Sequence, residues 1–260
     1  MRIPVAVVLG LFLVNASSQE PVRLFAAGSL RAAMTEIMQA SGVPATGTFG
    51  PSGLLRERIE KGEGAEVFAS ADMDHPGRLE KQGKAMPVRL FARNRLCALA
   101  APQAAVTTET LLARMLDPAV KLGISTPKAD PSGDYAWALF AKADAVQPGA
   151  RAKLEAKALK LTGGPDSPPP PKDRSQYGQL VAEGKADIFL TYCTNALQAR
   201  AENAAQQIVQ VPADLAVGAD YGLTVLKGAR PEAERFAQFV LSPAGQAVLA
   251  KHGFAAGDEK

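Results

Sequence analysis

The sequence predicts an α/β protein built from parallel βαβ units. The short apolar segment at residues 22–27 and the segment at residues 45–49 are each predicted to be a strand, and each runs into a glycine- and serine-containing turn before a helical segment. A third strand is predicted at residues 66–71. Because strands, glycine turns and helices alternate, we expect parallel strands and a functional edge where the strands end and the helices begin.

The same order continues through the rest of the chain. A strand at residues 120–125 is followed by the turn Pro131-Ser132-Gly133 and a helix over about residues 134–143. Residues 163–171 form a loop, because their prolines fix φ and lack an N–H donor. Further strands are predicted at residues 94–101, 159–161, 186–192, 208–211 and 223–227, and further helices at 30–40, 54–61, 174–183, 232–241 and 243–251.

The N-terminus has the residue order of a secretory signal peptide. Arg2 precedes an apolar run at residues 3–14 and a small polar stretch at residues 15–18. The run is shorter than the roughly 20 residues that cross a bilayer, and no second run of that length follows. We therefore expect residues 1–18 to be removed on export. No cysteine near that junction could accept a lipid anchor, so the mature protein is expected to be free in the periplasm.

Composition and charge indicate an ordinary globular protein. Hydrophobic residues make up 47% of the chain, and removal of Arg2 with the signal leaves 28 basic and 26 acidic residues dispersed along it. No nucleic-acid surface is predicted from this balance. Cys97 and Cys193 are the only cysteines. In an oxidising compartment they are expected to pair, the alternative being two buried thiols.

Three turns place a serine at a predicted helix start, namely Ser29, Ser52 and Ser132. A helix N-terminus has unpaired N–H groups and a partial positive charge, so it can hold a small anion without a cationic side chain. Each serine taken singly is also explained as an N-cap, which is the residue type that helices prefer there. Their repetition at successive strand ends favours an anion site.

The chain resembles the periplasmic molybdate-binding proteins. The resemblance rests on LFAAGSL at residues 24–30, Ser52 before an arginine-containing helix, AEVFASAD at residues 65–72 and FVLSPAGQAVLAKHGF at residues 239–254. It implies a two-domain type II periplasmic binding protein fold, each domain a mostly parallel sheet flanked by helices, joined by two crossing hinge strands. We assign residues 19–96 and 222–260 to lobe 1 and residues 97–221 to lobe 2.

The resemblance also implies a function and a set of site residues. The function is capture of a tetrahedral oxyanion, molybdate or tungstate, between the lobes and delivery to the membrane permease of an ABC importer by a monomeric protein. No cofactor is implied, and no metal that the protein binds directly. The ligand-binding positions fall on Ser29 and Ser52, on Ser132 as a backbone donor, and on the Tyr192 hydroxyl. A further backbone donor falls near Arg174 or Ser175.

Two features depart from the family pattern. Ser52 lies in a Gly-Pro-Ser-Gly turn that offers fewer hydroxyls than a serine-rich one. Arg174 would add a full positive charge to a site that in the family works through neutral donors. We expect the Arg174 side chain to contact the ligand, with Asp173 as an alternative partner.

The residues also bear on two other functions. An enzyme is not expected, because the two histidines, His75 and His252, lie in no nucleophile motif and no phosphate-binding loop or paired-cysteine metal site is present. The second is a binding protein for another anion. Protonated phosphate would require a hydrogen-bond acceptor, and the predicted turns offer only donors. Sulfate and small organic anions stay open, since Tyr135 and Trp137 could line a wider pocket.

Overall fold

The computed structural model of the protein describes residues 20–171 and 174–257. The predicted signal peptide, residues 1–18, lies outside the described residues, as does Asp173. No helix in the described part of the chain is long and apolar enough to cross a membrane.

The N-terminal part alternates strands and helices as predicted. Its elements are β1 (Val22–Ala27), α1 (Arg31–Ala40), β2 (Ala45–Gly50), α2 (Ser52–Glu60), β3 (Val67–Ser70) and α3 (Asp74–Lys81). Strand β1 pairs in parallel with both β2 and β3, so the expectation of parallel βαβ units is confirmed here. The strands are apolar because β1 and β3 are buried almost throughout, as the central strands of a sheet with helices on its faces must be.

The middle of the chain adds a second set of three parallel strands. Further strands connect this set to the N-terminal strands. The middle elements are β4 (Arg89–Ala100), α4 (Leu111–Leu116), β5 (Leu122–Ser125), α5 (Pro131–Val146), α6 (Ala150–Lys157) and β6 (Leu159–Thr162). They are followed by α7 (Gln176–Ala182), β7 (Ile188–Tyr192), α8 (Cys193–Glu202), β8 (Gln207–Gln210), β9 (Gly218–Val225), α9 (Pro231–Leu241), α10 (Pro243–Lys251) and β10 (Ala255–Ala256).

One long strand, β4, runs through both parts of the sheet. The main strand order is β2-β1-β3-β9-β4-β7-β5-β6. The N-terminal portion of β4 pairs antiparallel with β9 as far as Arg95, and from Leu96 it pairs antiparallel with β7. We refer to β1, β2, β3 and β9 as the first half and to β5, β6 and β7 as the second half. The lobe limits assigned from the sequence remain a prediction.

A disulfide fastens the second half to β4. Cys97 of β4 and Cys193, the first residue of α8, have their Cα atoms 4.8 Å apart and their sulfurs bonded. Cys97 is fully buried in a cluster of apolar side chains from β4, α7, β7 and α8. Since Cys193 directly follows Tyr192, the disulfide holds the carboxyl end of β7 in place.

Candidate ligand-binding cleft

A cavity of about 540 Å³ opens where strands of both halves end. The first half contributes the turn after β1, the turn after β2 and the residue after β3, and the second half contributes the loop after β6, the start of α7 and the end of β7. The polar side chains that line it include Ser29, Arg31, Ser52, Asp130, Arg174 and Tyr192. The cavity therefore lies at the edge that βαβ geometry favours for ligands.

The two halves touch beside the cavity through Gly53. Its N–H donates to the Ala129 carbonyl oxygen at 3.0 Å. A Cβ atom at position 53 would approach the carbonyl oxygens of Lys128 and Ala129 to 2.6 and 2.8 Å. Only glycine allows this approach of one backbone to the other, which explains the second glycine of the Gly-Pro-Ser-Gly turn.

Ser29 and Ser52 line the cleft, but neither caps a helix as the sequence predicted. Ser29 lies inside a short 3₁₀ turn, Gly28–Leu30, and its hydroxyl is 3.0 Å from the hydroxyl of Tyr221. Ser52 is itself the first residue of α2, and its oxygen accepts from the Ala71 N–H at 3.1 Å. A capping side chain must belong to the residue before the first helical one, so neither serine is an N-cap, and both hydroxyls instead bond to other residues beside the cavity.

Ser132 does not line the cavity, contrary to its predicted role. The N-cap of α5 is Asp130, whose Oδ1 accepts from the Ser132 N–H at 3.1 Å. The backbone donor that the sequence assigned to the ligand is therefore already bound by a carboxylate of the chain. The Ser132 hydroxyl is fully buried and has no hydrogen-bond partner among the described residues.

At the start of α7, a carboxylate of the chain again binds the backbone N–H that was assigned to the ligand. The Ser175 N–H donates to both carboxylate oxygens of Glu202 at 2.8 and 2.9 Å, and the Ser175 hydroxyl accepts from the Gly178 N–H. Helix α7 begins at Gln176, so Arg174 precedes the N-cap and does not lie in the first turn as predicted. Arg174 is exposed and lines the cavity, which leaves its guanidinium as a donor in place of the expected backbone N–H.

Tyr192 is the last residue of β7 and is 2% exposed. Its hydroxyl donates to the Ala71 carbonyl oxygen at 3.5 Å and so links the second half to the first. Its ring packs edge-on against Tyr221, with 5.5 Å between the ring centroids. Burial raises the pKa of Tyr192 well above its ordinary value, so the hydroxyl stays protonated and can donate.

Two charged residues of the cleft were missed in the sequence. Arg31, in the first turn of α1, lines the cavity, and its guanidinium lies 4.8 Å from the centroid of the Phe49 ring. Partial burial lowers the pKa of Arg31, which nevertheless remains a cation at neutral pH. Asp130 supplies a carboxylate, which is the hydrogen-bond acceptor that the predicted turns lacked.

The cleft therefore combines four predicted residues with two unpredicted ones. One cavity is bordered by Ser29, Ser52, Arg174 and Tyr192. Ser132 does not line it, and its N–H is bound by Asp130. Hydroxyl and guanidinium donors are the groups that bind the oxygens of an anion. The arrangement can hold an oxyanion near the first half and has room for a larger molecule beyond it.

Comparisons with known proteins identify the family of the chain. The family described as bacterial extracellular solute-binding protein matches residues 22–255. An uncharacterized protein of Pasteurella multocida is 36% identical over 240 residues, which are 90% of this chain and 98% of that protein.

Two solved structures share the fold at low sequence identity. The sulfate-binding protein SubI of Mycobacterium tuberculosis superposes with a TM-score of 0.75 at 16% identity, over 92% of this chain and 88% of that one. The periplasmic molybdate-binding protein of Azotobacter vinelandii superposes with a TM-score of 0.71 at 19% identity, over 90% of this chain and 98% of that one. At such identities these structures establish the type II periplasmic binding protein fold and not the ligand.

Proposed function

We propose, from the premise that this chain belongs to the bacterial extracellular solute-binding proteins, that its cleft captures a solute by an oxyanion group for an ABC importer. The observation that carries the proposal is the convergence of Ser29 and Ser52 with two arginines on one cavity between the halves. The residues of the cleft have binding roles, and none of them is proposed to be catalytic. The protein's partner is the membrane permease to which binding proteins of this family deliver their ligand.

Molybdate and tungstate are the first candidate ligands, as bare tetrahedral oxyanions. Hydroxyl donors on the first half could surround such an ion together with the Tyr192 hydroxyl on the second, which would exchange its bond to the Ala71 carbonyl oxygen for one to the ion. Donors spaced for a large tetrahedron cannot all reach a smaller one, and each buried donor left unpaired costs about 1 to 3 kcal/mol. Among bare oxyanions, molybdate and tungstate should therefore bind more tightly than sulfate.

A small organic anion with an oxyanion group is the second candidate. The volume of about 540 Å³ favours it, since pockets of about 300 to 1,000 Å³ are typical of small organic ligands. Part of the cavity wall is the apolar run Pro168 to Pro171, which offers a bare anion no donor N–H.

Thermal shift and isothermal titration calorimetry against an anion panel test the proposal. The panel contains molybdate, tungstate, sulfate, orthophosphate, a phosphomonoester and small carboxylates. A ligand at about a hundredfold above its Kd stabilises by about 2.7 kcal/mol, which for a chain of this size raises Tm by about 5 to 10 °C. The absence of a shift with every oxyanion, at concentrations up to about 10 mM, would reject an oxyanion cleft.

Arg174→Ala should weaken binding of the panel's tightest oxyanion at least about tenfold, because a charge-assisted hydrogen bond contributes about 1.5 to 3 kcal/mol. The loss should shrink as salt rises, since the guanidinium is exposed and its interaction is screened. Calorimetric titration at low and high salt measures both effects. Arg151→Ala is the charge-matched control, because Arg151 lies on α6 and does not line the cleft. If Arg174→Ala binds within about twofold of the parent, the Arg174 side chain does not contact the ligand.

A further inference from the structure

Asp130 occupies a position in the cleft that bears on which anion can enter. It lines the cavity as the N-cap of α5, and Oδ1 is fixed by the Ser132 N–H at 3.1 Å. The loop after β6 covers the carboxyl group from the other side. A Cβ atom at Gly163 would come within 2.6 Å of Asp130 Oδ2, so only glycine, here with φ +77°, lets this loop pass so closely.

The surroundings of Asp130 disfavour its negative charge. The charged groups that act on it most strongly are Asp134 on α5 and Asp72 after β3, both carboxyl groups. The negative charge of Asp130 also acts on Tyr177 of α7 and Tyr192 of β7. Among the described residues, the cations that line the cavity are Arg31 and Arg174. Burial raises the pKa of Asp130 to about 6, although hydrogen bonds from Ser132 and Ser125 oppose the rise.

An anion bound next to Asp130 is therefore favoured if one hydrogen lies between the two groups. A fully deprotonated oxyanion has only acceptors, so it would set one negative group against another unless a proton is taken up. An anion with an acidic hydrogen can donate it to the carboxylate and keep its other oxygens for the serines and arginines. A phosphate group has this property, because its second pKa is about 6, close to that of Asp130.

We propose that the cleft is selective for a small organic phosphomonoester and that Asp130 is the specificity-determining residue, which shares one hydrogen with the phosphate. The inference rests on the proposed oxyanion cleft and names its ligand class. The phosphate lies toward Ser29 and Ser52, and the organic group fills the volume toward the proline-rich loop. A bare tetrahedral oxyanion, with a volume of roughly two to three waters, would leave most of the 540 Å³ unfilled.

The test compares two esters of one alcohol, glycerol 3-phosphate and glycerol 3-sulfate, by calorimetric titration of the purified full-length protein at pH 7. The sulfate ester matches the phosphate ester in shape but has no second acidic hydrogen. We expect the phosphate ester to bind about 10- to 100-fold more tightly, since the sulfate ester has no hydrogen to donate to the partly buried carboxylate of Asp130. In Asp130→Asn, whose amide can donate to an oxygen, that ratio should fall below about threefold.

Asp144→Asn is the matched control, because it removes an exposed carboxylate of α5 that neither lines the cavity nor acts on Asp130. Its ratio of affinities should stay within about twofold of the parent's. Asparagine is as good an N-cap as aspartate, and an unchanged Tm would verify that Asp130→Asn folds.

Two outcomes would overturn the inference: equal binding of the two esters by the parent, or an unchanged ratio in Asp130→Asn. Tight binding of molybdate or sulfate without a preference for the phosphate ester would reject the ligand class and retain the oxyanion cleft. Absence of binding by every oxyanion and ester would reject the cleft itself.

Discussion

Reduction of the disulfide between Cys97 and Cys193 is expected to lower the free energy of unfolding by about 4 to 5 kcal/mol. The bond closes a loop between residues 96 positions apart, and the chain-entropy model assigns a value of this size to a loop of about 100 residues. The bond also holds the end of β7, so the orientation of the Tyr192 hydroxyl in the cleft depends on it. Urea unfolding at 25 °C with and without a phosphine reductant measures the difference.

The double variant Cys97→Ala with Cys193→Ala separates loss of the bond from side effects of the reductant. It should unfold at a low urea concentration whether or not the reductant is present, and the reduced parent should approach it. A loss below about 1 kcal/mol on reduction would show that native packing, and not the cross-link, holds this half together.

The sequence predicted best those elements whose ends carry local signals. The terminal helix α10 has the predicted bounds, Pro243 to Lys251, because Ser242 caps it by accepting from the Gly245 N–H and proline fits the first helical position. Strand β1 likewise has its predicted bounds, since its apolar run ends at Gly28.

Elements defined by tertiary pairing were predicted less well. Strand β9 was expected at residues 223–227 but runs from Gly218 to Val225. Gly218 and Asp220 are poor strand residues, and they are extended because they pair with Arg95 and Arg93 of β4. Helix α8 was missed because it begins at Cys193 with no glycine turn or polar cap after β7.

At the candidate site, the hydroxyl residues that line the cavity were predicted from the sequence, but the carboxylate of Asp130 was not. The sequence predicts Ser132 as the helix cap, whereas proline at position 131 is the first helical residue and makes Asp130 the cap. The Asp-Pro order was therefore an available signal, since proline is favoured at the first helical position. Arg31 carried no such signal, because its place in the cleft follows from the short turn between β1 and α1.

A second large effect is expected at Glu66, outside the cleft. Its side chain is 4% exposed and forms a bidentate ion pair with Arg230, both distances being 2.7 Å, and it also accepts from the Arg23 N–H at 3.1 Å. These contacts fasten the approach to β3 to β1 and to the start of α9. The Arg230 guanidinium lowers the pKa of Glu66 to about 2 from an ordinary value of about 4.5.

The sign of the pH dependence follows from this depressed pKa. The folded state releases the Glu66 proton more readily than the unfolded state, so the contribution is complete above about pH 4.5 and is lost as the pH falls toward 2. Its size is about 2 to 3 kcal/mol at pH 7, after allowance for the side chain of Arg230, which is 34% exposed. Glu66→Gln should lose this amount at pH 7, because an amide cannot balance the guanidinium.

Urea unfolding of the parent and of Glu66→Gln between pH 7 and pH 2.5 tests the assignment. The two stabilities should differ most at neutral pH and converge as the pH approaches 2.5, where the parent's carboxylate begins to take up its proton. Glu63→Gln is the control, because Glu63 also pairs with an arginine, Arg58, but on the exposed surface, and its urea midpoint should not change. A difference between the parent and Glu66→Gln that persists undiminished at pH 2.5 would assign the loss to packing of the amide and not to the charge of Glu66.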